Sequence, residues 1–248
     1  MARFFIFGAN YPQGGTVILS GEDAEHARVL RLRVGEEIVI SDGAGRDFNC
    51  TVRGFTGAGV EAEVNGIARN TAEPSVAVTV VAGLPKQAER AEYTVQKCTE
   101  CGATKLLFYR SHRCVADPGQ RSIEKKLARW QRIAEEAAKQ SGRGMVPEVA
   151  YSSDFGAALE AGRKTALPLF LYETGERAPL REVLEAEAPG AGSAAILTGP
   201  EGGFEPYEAE LARRLGFRVC AMGPRILRCE TAPVAALAAL MYATGNLS

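Results

Sequence analysis

Two stretches decide the fold: Ala195-Ile196-Leu197-Thr198-Gly199-Pro200-Glu201-Gly202-Gly203-Phe204 and Val219-Cys220-Ala221-Met222-Gly223-Pro224-Arg225-Ile226-Leu227-Arg228-Cys229-Glu230-Thr231-Ala232. Each is an apolar run that breaks at a glycine–proline turn and leads toward a helix start. In an open α/β sheet, ligands bind in the loops that leave the carboxyl ends of strands. Glycine there lets the backbone approach a ligand closely, and proline fixes the turn while removing a donor. The pair reads as a cradle for a small polar molecule, or more plainly as two tight connections, because glycine punctuation is common.

Outward from these loops, strands alternate with amphipathic helices. Strands are expected over 76–82, 105–109, 167–172, 196–198 and 218–222. Helices are expected over 86–101, 123–141, near 180–186, over 206–215 and over 231–245. This alternation specifies a mostly parallel sheet covered by helices on both faces, and the apolar strands agree with double-sided burial. The last helix is rich in alanine (Ala232, Ala235, Ala236, Ala238, Ala239, Ala243), with Thr231 as its expected cap and Pro233 in its first turn. Its slender profile suits close packing in a core or against a second copy.

The first 70 or so residues read differently. Short β-prone runs at 3–7, 16–19, 37–41, 46–53 and 60–68 are separated by turn signals, including Gly43-Ala44-Gly45 and Gly57-Ala58-Gly59 as hairpin turns. One helix interrupts them, capped by Ser20 or Asp23, with Ala27, Leu30 and Val34 on its apolar stripe. Five such strands predict a small barrel. The connection Asn70-Thr71-Ala72-Glu73-Pro74 marks the boundary, giving domains 1–72 and 73–248.

With 46% hydrophobic and 24% charged residues in 248, the chain has the composition of a soluble globular protein. It lacks an apolar run long enough for a bilayer and an amino-terminal h-region, so a cytoplasmic protein without a membrane partner is expected. The net charge of −1 is neutral toward nucleic acid, yet Lys105 to Arg132 holds eight bases against Asp117 and Glu124, a segment able to recruit phosphates or to serve as a solvated helix face. Cys98, Cys101, His112 and Cys114 could be grouped as metal ligands, but the first two fall within a helix and neither pair has finger spacing. They read as core packing, and no metal is expected. Of the two histidines, His26 lies one turn from Leu30 and reads as packing.

The first loop lacks the Lys-Ser/Thr ending of a P-loop, and its Glu201 is unsuited to a triphosphate. A neutral or cationic ligand with hydroxyls and an adenine fits better, and S-adenosyl-L-methionine meets that description. The expected contacts are Leu197, Thr198, Gly199, Glu201, Gly202 and Gly203 from the first loop, and Met222, Gly223, Ile226, Leu227 and Arg228 from the second. Leu197, Met222, Ile226 and Leu227 form the expected apolar wall.

The segments 197–204 and 222–232 resemble those of the RsmE family, uridine-N3 methyltransferases of small-subunit ribosomal RNA within the SPOUT (trefoil-knot) superfamily. Supporting matches are His26-Ala27-Arg28-Val29-Leu30-Arg31-Leu32-Arg33-Val34-Gly35 with Asp42-Gly43, Lys97-Cys98-Thr99-Glu100-Cys101-Gly102, and Glu136-Ala137-Ala138-Lys139-Gln140-Ser141-Gly142-Arg143 with Pro147. Cys229 stands where the family usually has threonine, and Cys101 where it has leucine. The resemblance implies a PUA-like β-barrel that helps hold RNA, then a knotted α/β domain whose last helix lies at a homodimer interface. It also implies methylation of N3 of uridine 1498 in 16S rRNA. A related enzyme acting on transfer RNA, or a non-catalytic ribosome assembly factor, would share these motifs.

For that chemistry Arg228 is the candidate to hold charge developing on the uracil, unless it pairs with Glu201 or Glu230. Glu230 is the nearest carboxylate that could accept the imide proton, and equally a helix-terminal charge favoured by the macrodipole. The candidate RNA contacts are Arg3, Arg28, Arg31 and Arg33 from the barrel and Arg110 and Arg113 beyond the strand at 105–109. Gln140 and Arg143 are expected at the mouth of the site.

Overall fold

The computed structural model describes residues 1–115 and 119–247; Asp117, one of the two acids in the basic segment, lies outside them. The chain forms two compact units. One comprises Met1–Glu73 with Ala138–Val146, the other Pro74–Ala137 with Pro147–Ser248.

The first unit holds β1 (Ala2–Phe5), β2 (Thr16–Leu19), α1 (Gly21–Val29), β3 (Glu37–Ser41), β4 (Arg46–Thr56) and β5 (Gly59–Arg69). Its sheet runs β1-β3-β4-β5-β2, antiparallel except for the parallel β1–β3 pair. Period-two alternation puts Val17 and Leu19 inward with Phe4, Ile38, Ile40, Phe48, Val52, Val60 and Val64. Both expected hairpin turns are present. Helix α1 is shorter than its apolar stripe predicts: it buries Ala24 and Ala27, whereas Leu30 and Val34 are 46% and 62% exposed. The chain leaves the helix at Arg31, whose φ of 56° is left-handed and cannot continue a right-handed turn. His26 packs edge-on against Phe4 with ring centroids 5.9 Å apart.

Residues 138–146 belong to this unit, not to the second segment where the sequence places them. The Glu73 carboxylate accepts hydrogen bonds from Arg143 Nη2 at 2.7 Å, Gly144 N at 2.9 Å and Met145 N at 3.0 Å. The Asn70 amide donates to Gly142 O at 3.0 Å and to Asp47 Oδ2 at 2.8 Å.

The second unit runs β6 (Ala77–Gly83), α2 (Ala88–Glu100), β7 (Lys105–Tyr109), α3 (Gln120–Gln140, whose last turn lies in the first unit), β8 (Glu148–Ser152), α4 (Phe155–Arg163), β9 (Leu167–Leu171), β10 (Ala178–Pro179), α5 (Leu180–Glu187), β11 (Ser193–Thr198), α6 (Pro206–Arg214), β12 (Arg218–Ala221) and α7 (Thr231–Ala243). All seven strands are parallel, in the order β10-β12-β9-β11-β6-β7-β8. Val81, Leu107, Phe170, Leu197 and Val219 share one face with Leu159 of α4 and Ala209 and Ala212 of α6. Helix α7 crosses β6 and β11 and packs against α2. Strands β8 and β10 and helix α4 lie where no element was expected. Gly156 and Gly162 mask the helical signal of α4, which is held at its start by the Asp154 carboxylate accepting from Gly156 N and Ala157 N. Thr231 is the first residue of α7 rather than its cap: its N–H, like that of Ala232, donates to Arg228 O at 2.9 Å.

Candidate active site: a cradle of three loops

Strand order builds the site. β9 lies between β11 and β12, so the loops leaving the carboxyl ends of all three converge, and β6 adds a fourth edge beside β11. They enclose a cavity of about 380 Å³, a size suited to one small ligand. Lining it are Leu171, Tyr172, Glu173 and Arg177 at and beyond the end of β9, Thr198, Gly199, Pro200, Glu201 and Gly203 at and beyond the end of β11, and residues 221–229 at and beyond the end of β12; Arg90 of α2 and Ala232 of α7 complete it.

Close backbone approach at Gly83 and a left-handed backbone at Gly203 explain two glycines. A Cβ on Gly83 would strike Pro200 N and lie 2.8 Å from Gly199 C, so β6 and β11 end in contact only without a side chain there. Gly203 has a φ of 67°, and a Cβ on it would strike Glu173 Oε1. Tyr109, fully buried, donates its hydroxyl to Thr198 O at 2.9 Å, and burial pushes its own ionisation well upward. On the outer side of the first loop, Arg113 donates to Gly202 O at 3.0 Å and forks onto Glu205 at 2.8 and 3.1 Å.

Of the expected ligand contacts, Thr198, Gly199, Glu201, Gly203, Met222, Gly223, Ile226, Leu227 and Arg228 line this one cavity. Leu197 and Gly202 do not. Leu197 is wholly in the core beneath the loop, and Gly202 spends its carbonyl on Arg113. Glu201 Oε1 accepts from Lys86 N at 3.0 Å and Arg90 Nη1 at 3.3 Å. Glu230 Oε2 lies 3.8 Å from the same Nη1 and accepts from Cys229 Sγ at 3.3 Å. The arginine between these acids is therefore Arg90. Arg228, which the linear sequence offers for that pairing, is exposed with no side-chain hydrogen bond or ion pair among the described residues. Burial, with the bond to Glu230, raises the Cys229 thiol to about 11, so it stays protonated.

Several expected RNA contacts are structural cations instead. Arg3 is bidentate to Asp47 at 2.7 and 3.0 Å, Arg143 is 2% exposed against Glu73, and Arg113 is committed to Glu205. Arg28, Arg31, Arg33, Arg110 and Gln140 are exposed. Among the described residues no cluster of three or more His, Cys, Asp or Glu could hold a metal, and no helix is long and apolar enough to cross a membrane.

Sequence reasoning missed Arg90, Glu173 and Arg177. A signal for Arg90 existed: Gly83-Leu84-Pro85 is a third strand ending in glycine and proline, and Arg90 follows in the first turn of the next helix. For Glu173 there was none, since the place of β9 in the sheet leaves no trace in its own residues.

A family model described as an RNA methyltransferase domain matches residues 72–241, and one described as an RNA methyltransferase PUA domain matches 19–64. The chain is 33% identical over 240 residues to ribosomal RNA small subunit methyltransferase E of Mycobacterium bovis, covering 94% of this chain and 88% of the relative. It is 31% identical to the Bacillus subtilis protein of that name, covering 98% and 97%. The chain belongs to the ribosomal RNA small subunit methyltransferase E family. The family's Neisseria gonorrhoeae member, solved bound to S-adenosyl methionine, superposes with a TM-score of 0.87 at 31% identity over 98% of both chains. A Legionella pneumophila methyltransferase in complex with the same cofactor superposes with a TM-score of 0.86 at 27% identity, again over 98% of both. In this family the cradle carries its own test of the cofactor. Thr198 Oγ1 is a buried hydroxyl without a protein partner at the cavity wall, which is costly unless a ligand supplies one. Leu171, Ile226 and Leu227 add apolar surface beside exposed loop backbone. These residues fit an adenosine-bearing cofactor.

Proposed function

We propose that this protein methylates N3 of a uridine in 16S rRNA, uridine 1498 by family resemblance, using S-adenosylmethionine held in the three-loop cradle. The observation that carries this reading is one cavity combining a partnerless buried hydroxyl, Thr198, with an unpaired guanidinium, Arg228. The cofactor supplies an electrophilic methyl group on a sulfonium sulfur. Thr198 and the loop backbone around Gly199, Gly203 and Gly223 hold its polar edges, and Leu171, Ile226 and Leu227 flank its base.

Arg228 acts on the uracil. Methylation at N3 requires loss of the weakly acidic imide proton, and the base then carries negative charge over its carbonyl oxygens. A guanidinium with no competing carboxylate stabilises that charge, the kind of contribution that dominates such sites. Glu230 sits at the N-terminus of α7 as a structural charge, and the imide proton passes to solvent. Supporting that role, its carboxylate is already engaged by Arg90 and Cys229.

Arg28, Arg31 and Arg33 contact RNA phosphates from the first unit, joined by Arg110 and Gln140. The protein works in the cytoplasm as a homodimer. Supporting a dimer, α7 buries Leu237, Leu240 and Met241 in its own unit yet leaves Tyr242 76% exposed beside half-exposed Val234, Ala235, Ala238 and Ala239.

Reverse transcription of 16S rRNA from cells lacking the gene tests the reading, since N3-methyluridine blocks base pairing. A stop present in wild-type RNA and absent in the deletion strain is expected. The same stop in both strains would refute it.

A further inference from the structure

One arginine outside both glycine–proline loops touches each of them. Arg90 leaves the first turn of α2, and its Nε donates to Gln87 Oε1 at 2.9 Å, which sets the plane of the guanidinium. Its Nη1 then reaches Glu201 Oε1 of the first loop at 3.3 Å, and Cys229 Sγ at 3.9 Å and Glu230 Oε2 at 3.8 Å of the second. The backbone N–H of Lys86 donates to the same Glu201 oxygen at 3.0 Å, so the β6–α2 turn grips the first loop twice. The three side chains are between 18% and 28% exposed, shielded enough for the geometry to persist and for charge to count. Without Arg90, two carboxylates on different loops would face each other across the rim with no cation between them.

We propose that Arg90 is a positioning residue that locks the two cofactor loops together and thereby sets the width of the cradle. This inference rests on the reading of the cavity as the S-adenosylmethionine site. Arg90 acts through Glu201 and Glu230, and it requires the arginine fork: a lysine ammonium reaches the carboxylates but offers Gln87 no equivalent of Nε. A thiol at 229 serves the network as a weak donor, so a threonine hydroxyl there would serve it at least as well.

Charge and position predict opposite results, which makes the inference testable. S-adenosylmethionine carries one more positive charge than S-adenosylhomocysteine. If Arg90 mattered only as a nearby cation, removing it would tighten binding of the methylated form relative to the demethylated one. If it holds the loops, removal weakens both ligands equally.

Isothermal titration calorimetry of the wild type, Arg90→Ala, Arg90→Lys and Glu201→Gln with both ligands decides between these. Expected for Arg90→Ala is about a tenfold loss of affinity for each ligand, with partial recovery in Arg90→Lys. The double variant with Glu201→Gln is expected to lose less than the two single losses combined. Unchanged affinity, or a selective gain for S-adenosylmethionine, overturns the proposal. If Arg90→Ala fails to melt cooperatively, Arg90→Gln and Glu201→Gln carry the same comparison. A wild type that binds neither ligand would sink the reading of the cavity, whereas a binding wild type with indifferent variants sinks this inference alone.

Discussion

In the N-terminal unit Arg3 and Arg143 are spent on carboxylates, while at the cradle of the second unit Arg228 is left open. Arg143 is 2% exposed against a Glu73 that is itself 13% exposed, and Arg3 and Asp47 are each 12% exposed. Arg228 lines the cavity and is exposed, with no partner among the described residues. A buried pair recovers its desolvation cost only while both members are present, so neither member is available to a ligand. An exposed, unpaired guanidinium keeps all its donors for whatever arrives. Arg90 stands between these extremes, paired yet at the rim, and joins loops rather than layers of a core.

The largest expected effect that would break this contrast is on the buried side. Arg143→Ala strands Glu73 and should lower unfolding stability by about 3–5 kcal/mol, measured by urea denaturation. A loss below about 1 kcal/mol would show that the pair is not the anchor of residues 138–146. Arg228→Ala is the mirror test. It should leave stability within about 0.5 kcal/mol and lower single-turnover methylation by about 10²- to 10³-fold. A destabilised protein with normal turnover would invert the comparison.

Smaller effects sharpen it. Replacing Arg28, Arg31 and Arg33 together by alanine should reduce the slope of log affinity for RNA against log salt by about two to three, with the fold intact; an unchanged slope would remove these residues from the RNA surface. Asp47 gives the pH counterpart. Burial raises its pKa, but hydrogen bonds from Arg3, Ser41 and Asn70 outweigh that and hold the folded value below the ordinary 3.8. Its stabilising contribution is therefore present above 3.8 and lost as pH falls through the lower folded value, and Asp47→Asn should flatten that part of the acid-unfolding curve. Smallest of all, Cys229→Thr should change cofactor affinity by less than about threefold, because the network around Arg90 asks only for a weak donor; a tenfold loss would mean that the thiol itself is required.

Much of this molecule was legible along the chain. The β-prone run 16–19 announces β2, Ala27 marks α1, and Gly199-Pro200 and Gly223-Pro224 point to the loops that line the cavity. Those signals are local: a turn residue or a β-prone run reports the backbone around itself. Leu30 and Val34 misled because apolar spacing does not register the left-handed turn at Arg31 that ends the helix. Arg3 and Arg143 misled because a basic residue in sequence does not disclose a carboxylate 44 or 70 positions away.

Apart from β8, α4 and β10, the linear chain was sufficient to set the kinds of elements, their approximate limits and the two loops at the heart of the site, since each depends on neighbours within a few residues. Only folding decided that β9 enters between β11 and β12, bringing Glu173 and Arg177 to the cavity, and that Arg90 rather than Arg228 holds the two acids. Lateral strand order is a property of which apolar faces cover one another across the whole sheet, and the partner of a charge is chosen by distance in space, so neither is written in any local stretch.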